Sequence, residues 1–412
     1  MIDAVPDKVR ALDEGDALAS FRARFALPPG VIYLDGNSLG ALPAQTPARL
    51  DAVVRREWGE GLIRSWNRHD WIGASRRVGD KIAKLIGAKP GEVVVADSTS
   101  VNIFKLLMAA VAARPGRNVI LSEAGNFPTD LYIAQGVVSL LPRLSLKAVT
   151  PDDLVPAIDE DVAVILLTHV HYKTGRQYDM AAVTRRAHEK GALVIWDLSH
   201  SAGAVPVDLG AAGADMAVGC GYKYLNGGPG APAFLYAAER LQGELASPVT
   251  GWLGHAAPFE FSDAFQPASG IGRFLSGTPP ILGLAALEAG VDLTAEAPAA
   301  ILFEKSRGLC ALFIETVEAF ARDHDLEIVT PLDAGARGSH VSLRHAHSYP
   351  VMQALIADGV IGDFRAPDIM RFGFAPLYLR HADVWRAANL LRDILASGRW
   401  DAPAFKTRAQ VT

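Results

Sequence analysis

The sequence has very little cysteine: Cys220 and Cys310 are the only two in 412 residues. Two cysteines so far apart do not indicate the disulfide framework that small secreted domains need. The first residues, MIDAVPDKVRALDEGD, carry acids where a secretory signal would need a basic and then an apolar stretch. No apolar run approaches the ~18 residues needed to cross a bilayer. The sequence therefore predicts a protein of the reducing cytoplasm with no membrane segment.

An excess of basic residues is also missing. The 40 lysines and arginines are outnumbered by 45 acids, which gives a formal net charge of -5, and they form no dense block. This balance argues against nucleic acid as a partner. Half of the residues are hydrophobic and only 21% are charged, which favours a large buried core over disorder. The length suits two or three folding units.

The middle of the chain alternates short apolar runs with helical patterns. Strands are predicted at 93–97, 118–123, 161–169, 192–197, 215–219 and 232–236. Helical patterns fall between several of them, at 100–113 and 179–190. Continuous rather than alternating apolar runs are typical of strands buried on both faces, hence of a mostly parallel α/β sheet covered by helices. Ligands of such sheets lie beyond the carboxyl ends of the strands, so the polar residues there are the candidates.

The flanking segments indicate a second, smaller unit. An amphipathic helix is predicted over 6–25, and further helices at 45–58, 71–86, 281–297, 300–323 and 382–396. Short strands are predicted at 327–330, 340–345, 360–365 and 370–374. We assign 1–65 to an N-terminal helix and arm that joins the small domain, 66–285 to a large domain, and 286–412 to a small α+β domain.

The strongest chemical signal is a pair of segments, WDLSHSAGAVPVDL (196–209) and GCGYKYLNGGPG (219–230). Asp197 ends an apolar strand, where a buried carboxylate needs a cationic partner. Lys223 follows the next strand and leads into a glycine-rich loop. Pyridoxal 5'-phosphate (PLP) uses both groups, because its aldehyde forms a Schiff base with lysine and its ring nitrogen pairs with an acid. Alone, the aspartate is more often a helix cap and the lysine a solvated side chain, so the spacing by itself does not decide.

A resemblance adds to this pattern. Seven segments resemble motifs of the kynureninases, in order along most of the chain: YLDGNSLG (33–40), NFPTDLY (126–132), THVHYKTG (168–175), WDLSHSAGAVP (196–206), YKYLNGGPG (222–230), GWLGH (251–255) and RFGFAPLY (371–378). The resemblance implies the PLP-dependent transferase fold of type I, with a mostly parallel large domain and a smaller α+β C-terminal domain. It also implies hydrolysis of L-kynurenine to anthranilate and L-alanine in tryptophan catabolism. Whether 3-hydroxykynurenine is a substrate too stays open.

The resemblance assigns roles residue by residue. Lys223 would be the Schiff-base lysine and Asp197 the partner of the ring nitrogen. Tyr222 matches a cofactor contact, and its position beside Lys223 makes it our candidate for moving protons. Further cofactor contacts would come from Thr99, Ser100, Phe127, Asp130, Thr168 and His200. Trp252 and Thr278 would reach the phosphate from a partner subunit, which implies a homodimer with shared active sites. Arg371 would clamp the substrate carboxylate, and Ser38 and Trp66 would line its aromatic end.

Most of these residues also have plainer interpretations. Thr99 and Ser100 could be an ordinary helix cap, although free N–H groups at a helix start also suit a phosphate. His200 alone would be a half-buried structural histidine, Trp252 a packing anchor, and Arg371 a surface ion-pair residue. Lys105, in the helix after Ser100, is expected to be solvated.

Three other functions remain as alternatives. A cysteine desulfurase would share the fold and the Asp–Lys pair but needs a reactive cysteine on a mobile loop, whereas both cysteines are expected to be buried. A zinc hydrolase could use the pairs His169 with His171 and His345 with His347, although no HExxH pattern supports a metal. A non-enzymatic PLP-fold sensor would need an appended DNA-binding module, for which the sequence leaves no room.

Overall fold

The computed structural model describes residues 4–408. The helices are α1 (Asp7–Glu14), α2 (Thr46–Ala52), α3 (Ser65–Arg68), α4 (Ala74–Leu85), α5 (Thr99–Ala113), α6 (Pro128–Leu140), α7 (Met180–Glu189), α8 (Glu239–Gln242), α9 (Ile281–Ala295), α10 (Ala299–Glu318), α11 (Ser348–Ala357) and α12 (His381–Ser397). The strands are β1 (Ile32–Tyr33), β2 (Val93–Val95), β3 (Val119–Glu123), β4 (Ser145–Val149), β5 (Val162–Thr168), β6 (Leu193–Asp197), β7 (Met216–Gly219), β8 (Phe234–Ala237), β9 (Glu327–Ile328), β10 (His340–Arg344), β11 (Val360–Ile361), β12 (Asp363–Arg365) and β13 (Ile369–Gly373). None of these helices combines the length and the apolar character that crossing a bilayer demands.

A seven-stranded sheet forms the centre of the large unit. Its strand order is β2-β8-β7-β6-β5-β3-β4, and every neighbouring pair is parallel except those that involve β8. The residues of β5, β6 and β7 are buried throughout. Apolar side chains on the two faces of the sheet belong to separate core clusters, so helices cover both faces. The predicted α/β class and its mostly parallel sheet are confirmed.

Two elements of this sheet region were not predicted from the sequence. Helix α6 starts at Pro128 directly after Phe127, where proline's fixed φ and missing N–H suit the first helical position. Strand β4 lies at the edge of the sheet, and its residues are exposed or half-buried. An edge strand with few buried side chains lacks the continuous apolar run by which the inner strands were found.

The C-terminal part builds a second sheet. Strands β12, β13, β10 and β9 form an antiparallel sheet in that order, with Ser342 opposite Arg371 and His340 opposite Gly373. Helix α10 packs on this sheet through Phe313, whose ring centre lies 4.9 Å from that of Phe372 and 5.2 Å from that of Phe374. The short strands expected here are therefore present, and Gly362 divides the predicted strand 360–365 in two.

The prediction of one helix over 6–25 is wrong. Helix α1 ends at Glu14, and a short 3₁₀ helix follows at Ala19–Arg24. Asp16 explains the break, because its carboxylate accepts the backbone N–H of Leu18 at 2.9 Å and pairs with Lys305 Nζ at 2.6 Å. The side chain thus competes with a continuing helix for its own backbone.

The N-terminal arm contacts the C-terminal part of the chain. Strand β1 pairs with β11, and the carboxylate of Asp13 accepts the first backbone N–H groups of α12. These contacts accord with the predicted assignment of 1–65, although the three domain boundaries stay predictions. The ends of the first and last predicted domains, residues 1–3 and 409–412, lie outside the described residues.

Candidate active site

Lys223 lies in the loop that follows β7 at the carboxyl edge of the large sheet. Its Nζ is 2.9 Å from His200 Nε2 and 5.7 Å from the centre of the Phe127 ring. The segment with Gly40 closes over this loop: the Gly40 N–H donates to Tyr222 O at 2.7 Å. A Cβ at Gly40 would lie 2.2 Å from Lys223 O, so the close approach requires glycine. Motifs distant in the sequence therefore meet at one buried amine.

Two buried carboxyl groups lie near this lysine. Asp197 ends β6 beside Thr168 and accepts the Ser199 N–H at 2.7 Å. Burial raises the pKa of Asp197, and the charge of Lys223 opposes that shift. Burial, with the charge of Asp197, raises the pKa of Asp130 well above its usual value. Because the two acids repel each other, we take Asp130 to be protonated and Asp197 to be the group that is ready for a cation.

Several polar atoms around the lysine have no protein partner among the described residues. They are buried and include Asp130 Oδ1, Thr168 Oγ1 and His200 Nδ1. Leaving such an atom unsatisfied costs about 1–3 kcal/mol, so these atoms indicate a bound polar group. These groups fit the parts of PLP: the amine of Lys223 suits its aldehyde, the carboxyl of Asp197 suits its ring nitrogen, and Phe127 suits its aromatic ring.

A cavity of about 450 Å³ adjoins the start of α5. Thr99, Tyr222 and Thr278 line it together with Ser276, whose buried Oγ has no partner among residues 4–408. Ser98, not Thr99 or Ser100, makes the capping bond, by accepting the Val101 N–H at 3.4 Å. The plain capping role is therefore filled, and the hydroxyl-lined helix start suits a phosphate.

The expectation that Lys105 is solvated is wrong. Its side chain is fully buried, and Nζ donates to Asp97 Oδ2 at 2.5 Å and to Phe274 O at 2.7 Å. The ammonium thereby ties α5 to the segment that leads to Ser276 and Thr278. The sequence did not reveal this pairing, because no helical or strand periodicity links Lys105 to an acid eight residues away.

Arg371 is buried rather than a surface ion-pair residue. Its Nε donates to Asp363 Oδ1 at 2.7 Å, and Nη2 donates to Asp363 Oδ2 and, at 3.0 Å, to Ser38 Oγ. Nη1 donates to Tyr172 O at 2.6 Å. Ser38 therefore lies beside Arg371, the predicted carboxylate clamp, and its predicted place at the aromatic end of the substrate stays a prediction. Sequence reasoning missed Asp363 and Arg365, although their strand lies next to the RFGF strand in the sequence.

The structure does not join two of the predicted residues to this group. Trp66 packs edge-on against Trp71, with ring centres 5.7 Å apart, and is not among the residues that line the cavity. Trp252 is 43% exposed and stacks on Phe261, with ring centres 6.2 Å apart. Its role in an assembled dimer stays a prediction.

The histidine pairs proposed for zinc have protein partners. His169 Nδ1 is 2.9 Å from Ser201 Oγ, and His171 Nε2 is 2.8 Å from Gly125 O. His347 stacks on Trp400 with ring centres 4.4 Å apart. Within the described part of the chain, no cluster of three or more His, Cys, Asp or Glu side chains is arranged to hold a metal ion.

The sheet and the site together define a PLP-dependent enzyme of fold type I. Among solved structures, the cysteine desulfurase CsdA of Escherichia coli matches with a TM-score of 0.76 at 21% identity, over 92% of this chain and 98% of that one. A C-DES mutant with glycine covalently linked to its PLP cofactor also matches at 0.76, with 16% identity over 94% and 99%. At these identities the likeness shows the fold alone.

Sequence comparison is more specific. The family model for the kynureninase C-terminal domain matches residues 302–391. Kynureninases of Burkholderia pseudomallei (strain 1106a) and Pseudomonas fluorescens are each 52% identical to this chain, over 98% of it and over 99% and 98% of their own lengths. The chain therefore belongs to the kynureninase family. It is a PLP-dependent hydrolase that acts on carbon–carbon bonds.

Proposed function

We propose that this chain hydrolyses the Cβ–Cγ bond of L-kynurenine and releases anthranilate and L-alanine. The observation that carries the proposal is the amine of Lys223, buried beside His200 and Phe127 in a chain that is 52% identical to kynureninases over nearly its full length. When bound, PLP supplies an aldehyde for the lysine and a ring that withdraws electrons from the α-carbon of an amino acid.

Of the three residues that we propose to be catalytic, Lys223 and Asp197 act directly on the cofactor. The lysine amine would hold the cofactor aldehyde, and as a free amine it is the group placed to remove the α-proton of the substrate as general base. His200 is buried, and burial with the charge of Lys223 lowers its pKa well below the usual value, so its imidazole stays neutral next to the amine. Asp197 would pair with the ring nitrogen of the bound cofactor and would hold that nitrogen protonated. Phe127 would stack on the ring, and Thr168 and Asp130 would hydrogen-bond its polar edge.

Tyr222 is the candidate proton carrier. Burial raises the pKa of its phenol above the usual value, so the hydroxyl stays protonated at neutral pH. Tyr222 lines the cavity with Thr99 and Thr278, beside the amine that it precedes in the chain. From there the phenol donates a proton during hydration of the γ-carbonyl. Ser100, in the first turn of α5, shares the phosphate with Thr99.

We also infer a homodimer with shared active sites in the cytoplasm. Trp252, Phe259 and Phe261 form an exposed aromatic cluster, with Phe261 75% exposed. Contiguous exposed aromatic surface of this kind is typical of protein interfaces. A partner that covers it would bring Trp252 to the neighbouring phosphate. Thr278 lines the cavity beside α5 of its own chain, and its reach to the phosphate of a partner subunit stays a prediction. The free thiols of Cys220 and Cys310 suit a reducing compartment.

The cysteine desulfurase alternative is not supported. Such an enzyme needs an accessible thiolate, whereas both cysteines are buried. Burial raises the pKa of Cys220, and it raises that of Cys310 to about 12. Both thiols therefore stay protonated.

One set of measurements tests the proposal. L-kynurenine is added to the PLP-loaded protein, and anthranilate fluorescence is followed. Borohydride reduction and peptide mapping then locate the labelled lysine, with Lys223→Ala as the test variant and exposed Lys89→Ala as the matched control. We expect anthranilate from the wild type and from Lys89→Ala, and a label on Lys223 alone. A yellow protein that forms no anthranilate would refute the activity, and a label elsewhere would refute the site.

A further inference from the structure

The arginine clamp is mostly occupied by the protein itself. A guanidinium has five N–H groups. Within residues 4–408, four of those on Arg371 are engaged: two by Asp363, one by Ser38 and one by Tyr172 O. One N–H on Nη1 remains for a ligand. A carboxylate has two oxygens with about four lone-pair sites. An α-carboxylate held here therefore needs a second donor.

His340 is the side chain placed to supply that donor. It faces Gly373 across the β10–β13 pair, while Ser342 faces Arg371, so His340 lies on the same face of the sheet two residues along. It is fully buried, and neither ring nitrogen has a partner among the described residues. Its ring centre is 5.3 Å from that of His200, which contacts Lys223.

The charge state of His340 suits this task. Burial, and then the charge of Arg371, lower the pKa of His340 to about 3, so the ring is neutral at physiological pH. A neutral imidazole offers one N–H donor and one acceptor. It can therefore donate to a carboxylate without adding a positive charge next to Arg371.

We propose that His340 binds the α-carboxylate of the amino acid substrate together with the free N–H of Arg371. This inference rests on the proposed function only in that the ligand is an α-amino acid. Asn37 packs against Gly373 and is buried, and its side-chain amide has no partner among residues 4–408. Sequence reasoning missed His340, although it alternates with Ser342 on the strand that pairs with RFGF.

The test compares ligands with and without a carboxylate. PLP-loaded protein is titrated with L-alanine, and with kynuramine, which is the kynurenine skeleton without the carboxylate. Binding is followed by the cofactor absorbance and by calorimetry. His340→Leu removes the donor, and His340→Gln retains a neutral N–H. The control is His345→Leu, which removes the histidine directly after the C-terminal end of the same strand.

We expect His340→Leu to weaken L-alanine binding tenfold to a hundredfold, which is the effect of losing a hydrogen bond to a charged group. His340→Gln and His345→Leu should stay within about threefold of wild type by the same scale. Kynuramine should bind all variants alike. If His340→Leu does not fold, His340→Phe, which keeps the ring volume, serves as the test.

Two results would overturn the inference. One is an unchanged L-alanine affinity in the variant without the donor, and the other is an equal loss of affinity for kynuramine, which would place the contact away from the carboxylate. L-alanine binding does not depend on kynurenine turnover. A wild type that binds L-alanine but forms no anthranilate would therefore refute the proposed function and leave the role of His340 testable.

Discussion

The carboxylate of Asp363 compensates the buried guanidinium of Arg371 and the half-buried guanidinium of Arg365, and replacing it with an amide should strongly destabilise the protein. Asp363 is 2% exposed and accepts hydrogen bonds from both Arg371 and Ser38, and its contact with Arg365 Nη2 is 2.8 Å long. Although burial opposes ionisation, the Arg371 guanidinium holds the pKa of Asp363 below its usual value. Asp363→Asn keeps the shape of the side chain but leaves the arginines without their counter-charge.

The magnitude follows from the depth of burial. Removing one partner of a buried ion pair costs about 3–5 kcal/mol, whereas an exposed pair contributes about 1 kcal/mol or less. Asp35 lies close enough to Asp363 to be repelled by it, so its ionisation in the variant offsets part of the loss. We therefore expect the lower end, about 3 kcal/mol, or roughly 3–4 °C in Tm, because a chain of 412 residues has an unfolding entropy of roughly 0.9 kcal/mol/K.

The assay is thermal unfolding of the PLP-loaded protein at fixed cofactor concentration, because bound ligand shifts Tm. Glu327→Gln is the matched control, since it makes the same change in the exposed pair of Glu327 with Arg344, which are 2.6 Å apart. The control should melt within about 1–2 °C of wild type. If Asp363→Asn melts together with the control, the carboxylate does not compensate the buried Arg371 and the reasoning fails.

Three further predictions concern single side chains. Burial and the charge of Asp363 raise the pKa of Asp35 to about 7, so the folded protein keeps a proton that the unfolded chain releases near pH 4. The stability that this proton contributes is therefore lost as the pH rises through about 7. The Tm of Asp35→Asn should exceed that of the wild type by more at pH 8 than at pH 5. An equal difference at both pH values would contradict this. Lys105→Met leaves the carboxylate of Asp97 unpaired beside the cavity assigned to the phosphate. The dissociation constant of PLP, measured by fluorescence titration, should rise roughly tenfold, while kcat at saturating PLP should not change. A lower kcat would show that Lys105 has a different role. Tyr222→Phe should retain the PLP spectrum but lose most anthranilate formation, and full turnover would remove Tyr222 from the chemistry.

Local pattern was enough to predict the large unit and the core of its site. Strands buried on both faces have continuous apolar sequences, and the residues directly after such strands must lie at one edge of the sheet. Asp197 and Lys223 each follow a strand of this kind, so their meeting followed from the parallel sheet. The kynureninase motifs then predicted the reaction, which the periodicity of apolar residues does not indicate.

The rest depended on contacts between residues far apart in the chain. The bond between Asp16 and Lys305, which ends the first helix early, joins residues 289 positions apart. The buried state of Lys105 depends on Phe274, in a segment with no pattern of its own.

The sequence by itself predicted the class of fold from its strand pattern, and the kynureninase motifs added the cofactor and Lys223 as the residue to hold it, because strand ends and motifs are local features of the chain. Only the tertiary structure decided how the Arg371 guanidinium is engaged and that His340 lies on the same face of the sheet with no partner among the described residues. The physical reason is register: which side chains meet across an antiparallel pair is set by packing of the whole small sheet, and a one-residue slip would turn His340 away.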